Sequence, residues 1–145
     1  MDIILRRASW NDVDILYRWA NDPSVRENSF CSDMIPYETH IRWFHALLND
    51  PEQRQYILLA DGEMVGQLRL SWESETVKIG YSIAREHRGR GFGKKLLTLA
   101  VEQARKDFPK AKTITGKVKP MNIASKKAFV AAGFLEIYEE FSSNL

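Results

Sequence analysis

Ile83-Ala84-Arg85-Glu86-His87-Arg88-Gly89-Arg90-Gly91-Phe92-Gly93-Lys94-Lys95 sets three glycines between the end of a β-rich run and the start of an amphipathic one. On its near side Thr76 to Ile83 reads as a strand. On its far side Leu97, Ala100/Val101, Ala104 and Phe108 repeat at helical spacing, so a helix is expected over Lys94 to Phe108. A glycine-rich turn opening a helix frees backbone N–H groups to face a ligand. The helix N-terminus adds roughly half a positive charge there, and Arg88, Arg90 and Lys94 add more. The segment therefore predicts a cradle for an anion, with a pyrophosphate as the natural occupant.

Two familiar phosphate loops do not fit. A Walker A loop has four residues between its glycines and Ser or Thr after its lysine, whereas Gly89 and Gly93 enclose three and Lys95 follows Lys94. A dinucleotide fingerprint needs a further glycine three positions on, where this chain has Leu96.

Outward from the loop, the other elements fall into place. Asp2 to Arg7 reads as a first strand, and Ser9 caps a helix carrying Val13, Leu16, Tyr17 and Ala20. Pro23 to Pro36 has no clean period and is expected to be a long loop, and Tyr37 to Leu48 returns to helical spacing. Gln55 to Ala60 and Met64 to Trp72 form a hairpin through Asp61-Gly62, and a turn at Glu73-Ser74 leads on to the strand Thr76 to Ile83. Past the glycine helix come a strand at Thr113 to Val118, a helix at Asn122 to Ala132 and a last strand at Phe134 to Phe141. The order β-α-α-β-β-β-α-β-α-β predicts one α/β domain over residues 1–145, a mixed sheet with helices on both faces.

Composition narrows the class. The 145 residues carry a net charge of +2, too little for a nucleic-acid surface unless the basic groups cluster. They cluster only in the glycine loop, which lacks an aromatic stacking platform, so no nucleic-acid partner is expected. Cys31 is the single cysteine, which rules out an intramolecular disulfide and fits a reducing compartment. No stretch approaches the roughly 18 apolar residues of a membrane span, so no membrane partner is expected and the reading is cytoplasmic. His40 and His45 have no third candidate ligand nearby, so no metal site is expected. The sequence is silent on oligomeric state, and a homodimer stays open.

Arg88-x-x-Gly91-x-Gly93 after a strand, then Asn122-x-x-Ser125-x-x-x-Phe129-x-x-x-Gly133-Phe134 about thirty residues on, resembles the two signature segments of the GNAT superfamily of N-acetyltransferases. The resemblance covers nearly the whole chain and implies acetyl-CoA as co-substrate. It implies that the fourth and fifth strands, Thr76 to Ile83 and Thr113 to Val118, splay apart to admit the pantetheine arm. The pyrophosphate would rest on the amides of Arg88, Gly89, Arg90, Gly91, Phe92, Gly93 and Lys94. Asn122 would hydrogen-bond the arm, and Ser125, Lys126 and Lys127 would lie along it, the lysines near the 3′-phosphate. Tyr81, Ser82 and Ile83 would supply the backbone N–H that polarises the thioester carbonyl.

The sequence also departs from that pattern. Many relatives have a tyrosine as thiol acid where this chain has Phe129, so water, Ser125 or Tyr138 must fill the role. Many place a glutamate base on the fourth strand, where this chain has Val77 and Lys78 and the nearest carboxylate is Glu75. A weaker base suffices if the acceptor amine titrates well below the roughly 10.4 of lysine.

Trp19-Ala20-Asn21-Asp22-Pro23-x-Val25-Arg26-x-x-Ser29-Phe30, with His40-x-x-Trp43-Phe44 and Val65-Gly66-Gln67-x-Arg69, looks like the acetyltransferases of pseudaminic-acid and related surface-sugar pathways. That resemblance implies a nucleotide-linked 4-amino-4,6-dideoxy sugar as acceptor. Its contacts would come from Arg26, Asn28, Ser29, Phe30, His40, Gln67 and Arg69. Acetylation of a peptide N-terminus and a non-catalytic acetyl-CoA-binding module remain as alternatives.

Overall fold

The structure is a computed structural model describing residues 1–137 and 140–145, with Glu140 described in its backbone only. Seven strands form one sheet in the order β1-β2-β3-β4-β5-β7-β6. They are β1 (Ile3–Arg7), β2 (Gln53–Ala60), β3 (Glu63–Glu73), β4 (Thr76–Ile83), β5 (Thr113–Lys117), β6 (Leu135–Ile137) and β7 (Glu140–Asn144). The pairs are antiparallel except β4 with β5, which run parallel. The expected mixed sheet with helices on both faces is what the chain adopts.

Both hairpin turns of the meander have positive φ at their two central residues, Asp61 and Gly62 in the first and Ser74 and Glu75 in the second. This matches the handed twist of paired strands. Alternation along the strands then sorts the side chains. Tyr56, Leu58, Leu68, Leu70, Val77 and Ile114 point to one face, where α4 (Phe92–Asp107) lays down Leu96, Leu97, Ala100 and Ala104 and α5 (Ile123–Ala131) adds Phe129. On the other face Ile57 packs with Leu16 of α1 (Val13–Ala20) and with Phe44 and Leu47 of α3 (Tyr37–Leu48). The first face carries the larger core. The second becomes polar towards β4 and β5, where Gln67, Arg69, Lys78, Ser82, Thr115 and Lys117 project.

Two expectations need correction. Pro23 does not open a featureless loop but starts a short helix, α2 (Pro23–Glu27), because proline is favoured at the first helical position and the Asp22 carboxylate accepts from the Ser24 amide at 2.8 Å. The final β-rich segment is not one strand but two. β6 and β7 pair antiparallel, and β7 runs to Asn144 and docks on β5. Tyr138 lies outside the described residues.

Candidate active site

The glycine loop forms as its sequence requires. Gly89 (φ 78) and Gly91 (φ 81) occupy the left-handed region, which costs glycine little, and a Cβ at either would meet nothing within 4 Å. Gly91 is the N-cap of α4, and the first bond into the helix is Lys95 N–H to the Gly91 carbonyl at 3.3 Å. The amides of Phe92, Gly93 and Lys94 are thus outside the helical ladder and open to an anion. The Phe92 side chain is buried in the core, so this residue offers the site its backbone alone. Arg90 lies over the Phe92 ring and contacts Nδ1 of His87, whose Nε2 is 3.3 Å from Glu63. Arg88 donates through Nε to the Ile83 carbonyl at 3.0 Å and approaches Asp22 at 3.6 Å, linking the loop to the cap of α2.

Beside this cradle the sheet opens. The β4–β5 ladder runs from Thr76↔Thr113 to Ile79↔Gly116 and stops, leaving Gly80 to Ile83 paired with β3 only. The Ala84 amide bonds to Val65 on β3, whereas the Glu75 carbonyl bonds to Lys112 on the β5 side. Strand alternation therefore turns the backbone groups of Tyr81 and Ile83 into the gap and those of Ser82 towards β3. Opposite the gap, the Asn122 side chain caps α5 by accepting from the Ser125 amide at 3.2 Å. Ser125 Oγ in turn meets the Tyr81 hydroxyl at 2.8 Å. Burial raises the Tyr81 pKa, only partly offset by the Ser125 bond, so the phenol stays protonated at neutral pH. On α5, Lys126 turns towards Glu136 at 3.8 Å and Lys127 is exposed.

The other sheet face carries a polar ladder. Gln55 Nε2 donates to Gln67 Oε1 at 2.8 Å, and Gln67 Nε2 donates to Ser82 Oγ at 3.2 Å. The Arg69 guanidinium lies 5.3 Å over the Trp43 ring, and Nη2 would be 3.2 Å from a Cβ on Gly80. Burial lowers its pKa, and among the described residues no carboxylate pairs with it. Phe30 is 62% exposed beside the β4–β5 seam.

Gln67, Arg69 and Phe30 thus lie beside β4 as expected of acceptor residues, joined by Ser82, whose backbone faces β3 and not the gap where a cofactor contact was expected, while the other residues expected at the acceptor site are turned elsewhere. Arg26 donates to the carbonyls of Ala20, Cys31 and Asp33 and to Ser29 Oγ, pinning the segment after α2. Asn28 and Ser29 bond back to the carbonyls of Ser24 and Val25. His40 is 2% exposed, with Nε2 2.9 Å from the Val13 carbonyl, and burial lowers its pKa. Glu75 sits at the far end of β4, paired with Lys112 at 2.9 Å. Gly80 is five positions further on, roughly 16 Å along a strand. Sequence reasoning passed over Trp43, Gln55, Thr115 and Lys117 as site residues. Only the period-two alternation of β5, with Thr113, Thr115 and Lys117 on one face, could have flagged the last two.

A family model described as an acetyltransferase (GNAT) domain matches residues 2–135. Among solved structures, the aminoglycoside acetyltransferase AAC(6')-Ib with paromomycin and acetyl-CoA superposes with a TM-score of 0.86, at 18% identity, covering 99% of this chain and 94% of that one. Spermidine N-acetyltransferase from Vibrio cholerae, with CoA and spermine, gives 0.88 at 16% identity, covering 98% and 95%. The ribosomal L7/L12 α-N-protein acetyltransferase with CoA gives 0.80 at 15%, covering 99% and 94%. These likenesses show a shared fold. No curated protein matches the chain in sequence.

Proposed function

The chain belongs to the GNAT acetyltransferase family, and from that premise we propose that it moves the acetyl group of acetyl-CoA to the amine of a nucleotide-linked amino sugar by direct attack on the thioester. The observation that carries the transfer is the opening of β4 from β5. It presents the backbone of Tyr81 and Ile83 between a glycine cradle fit for a pyrophosphate and a half-buried pair of hydroxyls. Acetyl-CoA supplies an activated acyl group when bound. The amides facing the gap are donors where negative charge develops on the carbonyl oxygen. As the carbon–nitrogen bond forms and the carbon–sulfur bond breaks, the Tyr81 hydroxyl, held by Ser125, gives its proton to the departing thiolate. The proton lost by the amine goes to water, and the Tyr81–Ser125 pair is recharged from solvent.

The acceptor assignment draws on the other face. Near Gly80 the lining is amides, a hydroxyl, Trp43 and a half-buried guanidinium, a setting for a hydroxylated ring carrying negative charge. It is a poor setting for polycations such as the aminoglycoside and spermine bound in the similar structures. Arg69 also disfavours a charged ammonium beside it, so the acceptor amine loses its proton more readily without a carboxylate base.

The test is release of CoA thiol from acetyl-CoA with three acceptors: a uridine-diphosphate 4-amino-4,6-dideoxy sugar, a short peptide with a free N-terminus, and spermine. Turnover with the sugar is expected. Turnover with the peptide or spermine alone would replace the acceptor assignment, and silence with all three despite tight acetyl-CoA binding would favour a binding module.

A further inference from the structure

Where β4 and β5 are still paired, their polar face holds a cavity of about 340 Å³. It is lined by Lys78 and Ile79 of β4, Thr115 and Lys117 of β5, Glu73 at the end of β3, and Phe30. The volume lies at the low end for ligand pockets, enough for one group of a larger molecule. Thr115 is 8% exposed, and its Oγ1 is buried with no hydrogen-bond partner among the described residues. A hydroxyl left so costs roughly 1–3 kcal/mol, and an acceptor atom placed against it would remove that cost. Lys78 stands opposite Thr115 across the ladder and Lys117 lies two residues further on, so two lysines line the cavity on the same face as the orphaned hydroxyl. Glu73 lines the cavity from beyond Lys78, opposite Thr76.

We propose that this cavity is an anion subsite for the acceptor. It takes a phosphate or diphosphate carried by the amine-bearing molecule, with Thr115 Oγ1 and the ammonium groups of Lys78 and Lys117 as donors. The inference rests on the acetyl-transfer reading above. Distance selects the class of molecule. Lys78 lies three residues before Tyr81, roughly 10 Å along the strand, so the acid group sits about that far from the reacting amine. An α-amino acid, whose amine and carboxylate share one carbon, cannot reach both places. An amino sugar with its amine and its phosphate on opposite sides of the ring can, and the exposed ring of Phe30 is placed to cover a sugar or base.

The experiment titrates CoA-saturated protein, which keeps the glycine loop occupied, with uridine diphosphate and separately with inorganic pyrophosphate, monitored by calorimetry. Binding is expected with CoA present, weakened about tenfold or more by Thr115→Val and by Lys117→Gln, about 1.4 kcal/mol each. CoA affinity should not change in either variant. Because Oγ1 has no partner to lose, Thr115→Val should melt no lower than the parent, which separates a lost subsite from a lost fold. Binding abolished by CoA, or indifferent to both variants, would place the anion elsewhere and overturn the inference. Tighter binding of an acidic peptide than of uridine diphosphate would overturn the phosphate assignment. Failure to bind CoA at all would instead sink the acetyl-transfer reading, so the two failures are distinguishable.

Discussion

Tyr81 is where the chemistry of the proposed transfer can be tested most directly. Its hydroxyl faces Ser125 Oγ at 2.8 Å, and burial keeps it protonated past the ordinary tyrosine value of about 10. Tyr81→Phe is expected to lower kcat about 100-fold, with the KM for acetyl-CoA nearly unchanged, because it removes a proton donor and no cofactor contact. The raised pKa has a second consequence: kcat should not fall between pH 7 and about 10 through loss of this acid, as a pH–rate profile would show. Asp12 offers a stability test at the same scale. Burial alone would raise its pKa, but Arg6 at 2.9 Å and the Ser9 amide outweigh that and hold it below the usual carboxylate value. A depressed pKa contributes stability that is full above about 3.9 and is lost as pH falls through the folded value. Arg6→Gln should therefore cost roughly 1 kcal/mol at pH 7 in denaturant melts, and the gap to the parent should close in acid. The sequence singled out Tyr81 for its backbone N–H through the family resemblance, but neither its hydroxyl nor the Asp12 ion pair was legible there. A tyrosine side chain in a β-rich run reads as core, and the serine whose hydroxyl it meets is 44 positions away.

The segment after α1 shows what a local rule can hide. Pro23 reads as a stop when the preceding helix is traced forward, yet the same residue is a start once Asp22 caps α2. Arg26 then makes three bonds from α2 into the loop and one back to Ala20 of α1, which sets the path of Phe30 towards the β4–β5 seam. Arg26→Ala is expected to raise the acceptor KM and speed proteolysis between residues 28 and 36, while acetyl-CoA affinity stays as it was. Limited digestion and separate titrations check both halves. The glycine loop, by contrast, was legible residue by residue, because left-handed φ at Gly89 and Gly91 is a requirement the sequence can state. The division of the last β-rich run into β6 and β7 was not, since both halves satisfy the same strand pattern and only β5 decides which pairs with it.

For the molecule as a whole, one sheet serves two cores that were legible in different degrees. The α4 stripe announced itself by helical period, and its burial against Leu68, Leu70 and Val77 comes from strand alternation. Leu97→Ala, at a fully buried position, should cost about 2–5 kcal/mol and lower the melting temperature in a single cooperative transition. The gap between β4 and β5 had no signature in local sequence, and its expectation came through the family resemblance alone. Physically it depends on where a parallel ladder ends, which is fixed by elements far apart in the chain. Gly116, the last rung of that ladder, has a further meaning. A Cβ there would overlap the Phe129 ring, which is also stacked on Phe141 and met edge-on by Phe134. Glycine and phenylalanine are thus interlocked like a key cut for one barrel. The end of the Phe129 ring nearest Gly116 is Cζ, where a tyrosine carries its hydroxyl, so Phe129→Tyr is expected to press on β5. In the proposed transfer the hydroxyl stands across the gap, on Tyr81, and the packing behind it couples two positions, so that a larger group at Phe129 or at Gly116 calls for a compensating change at the other.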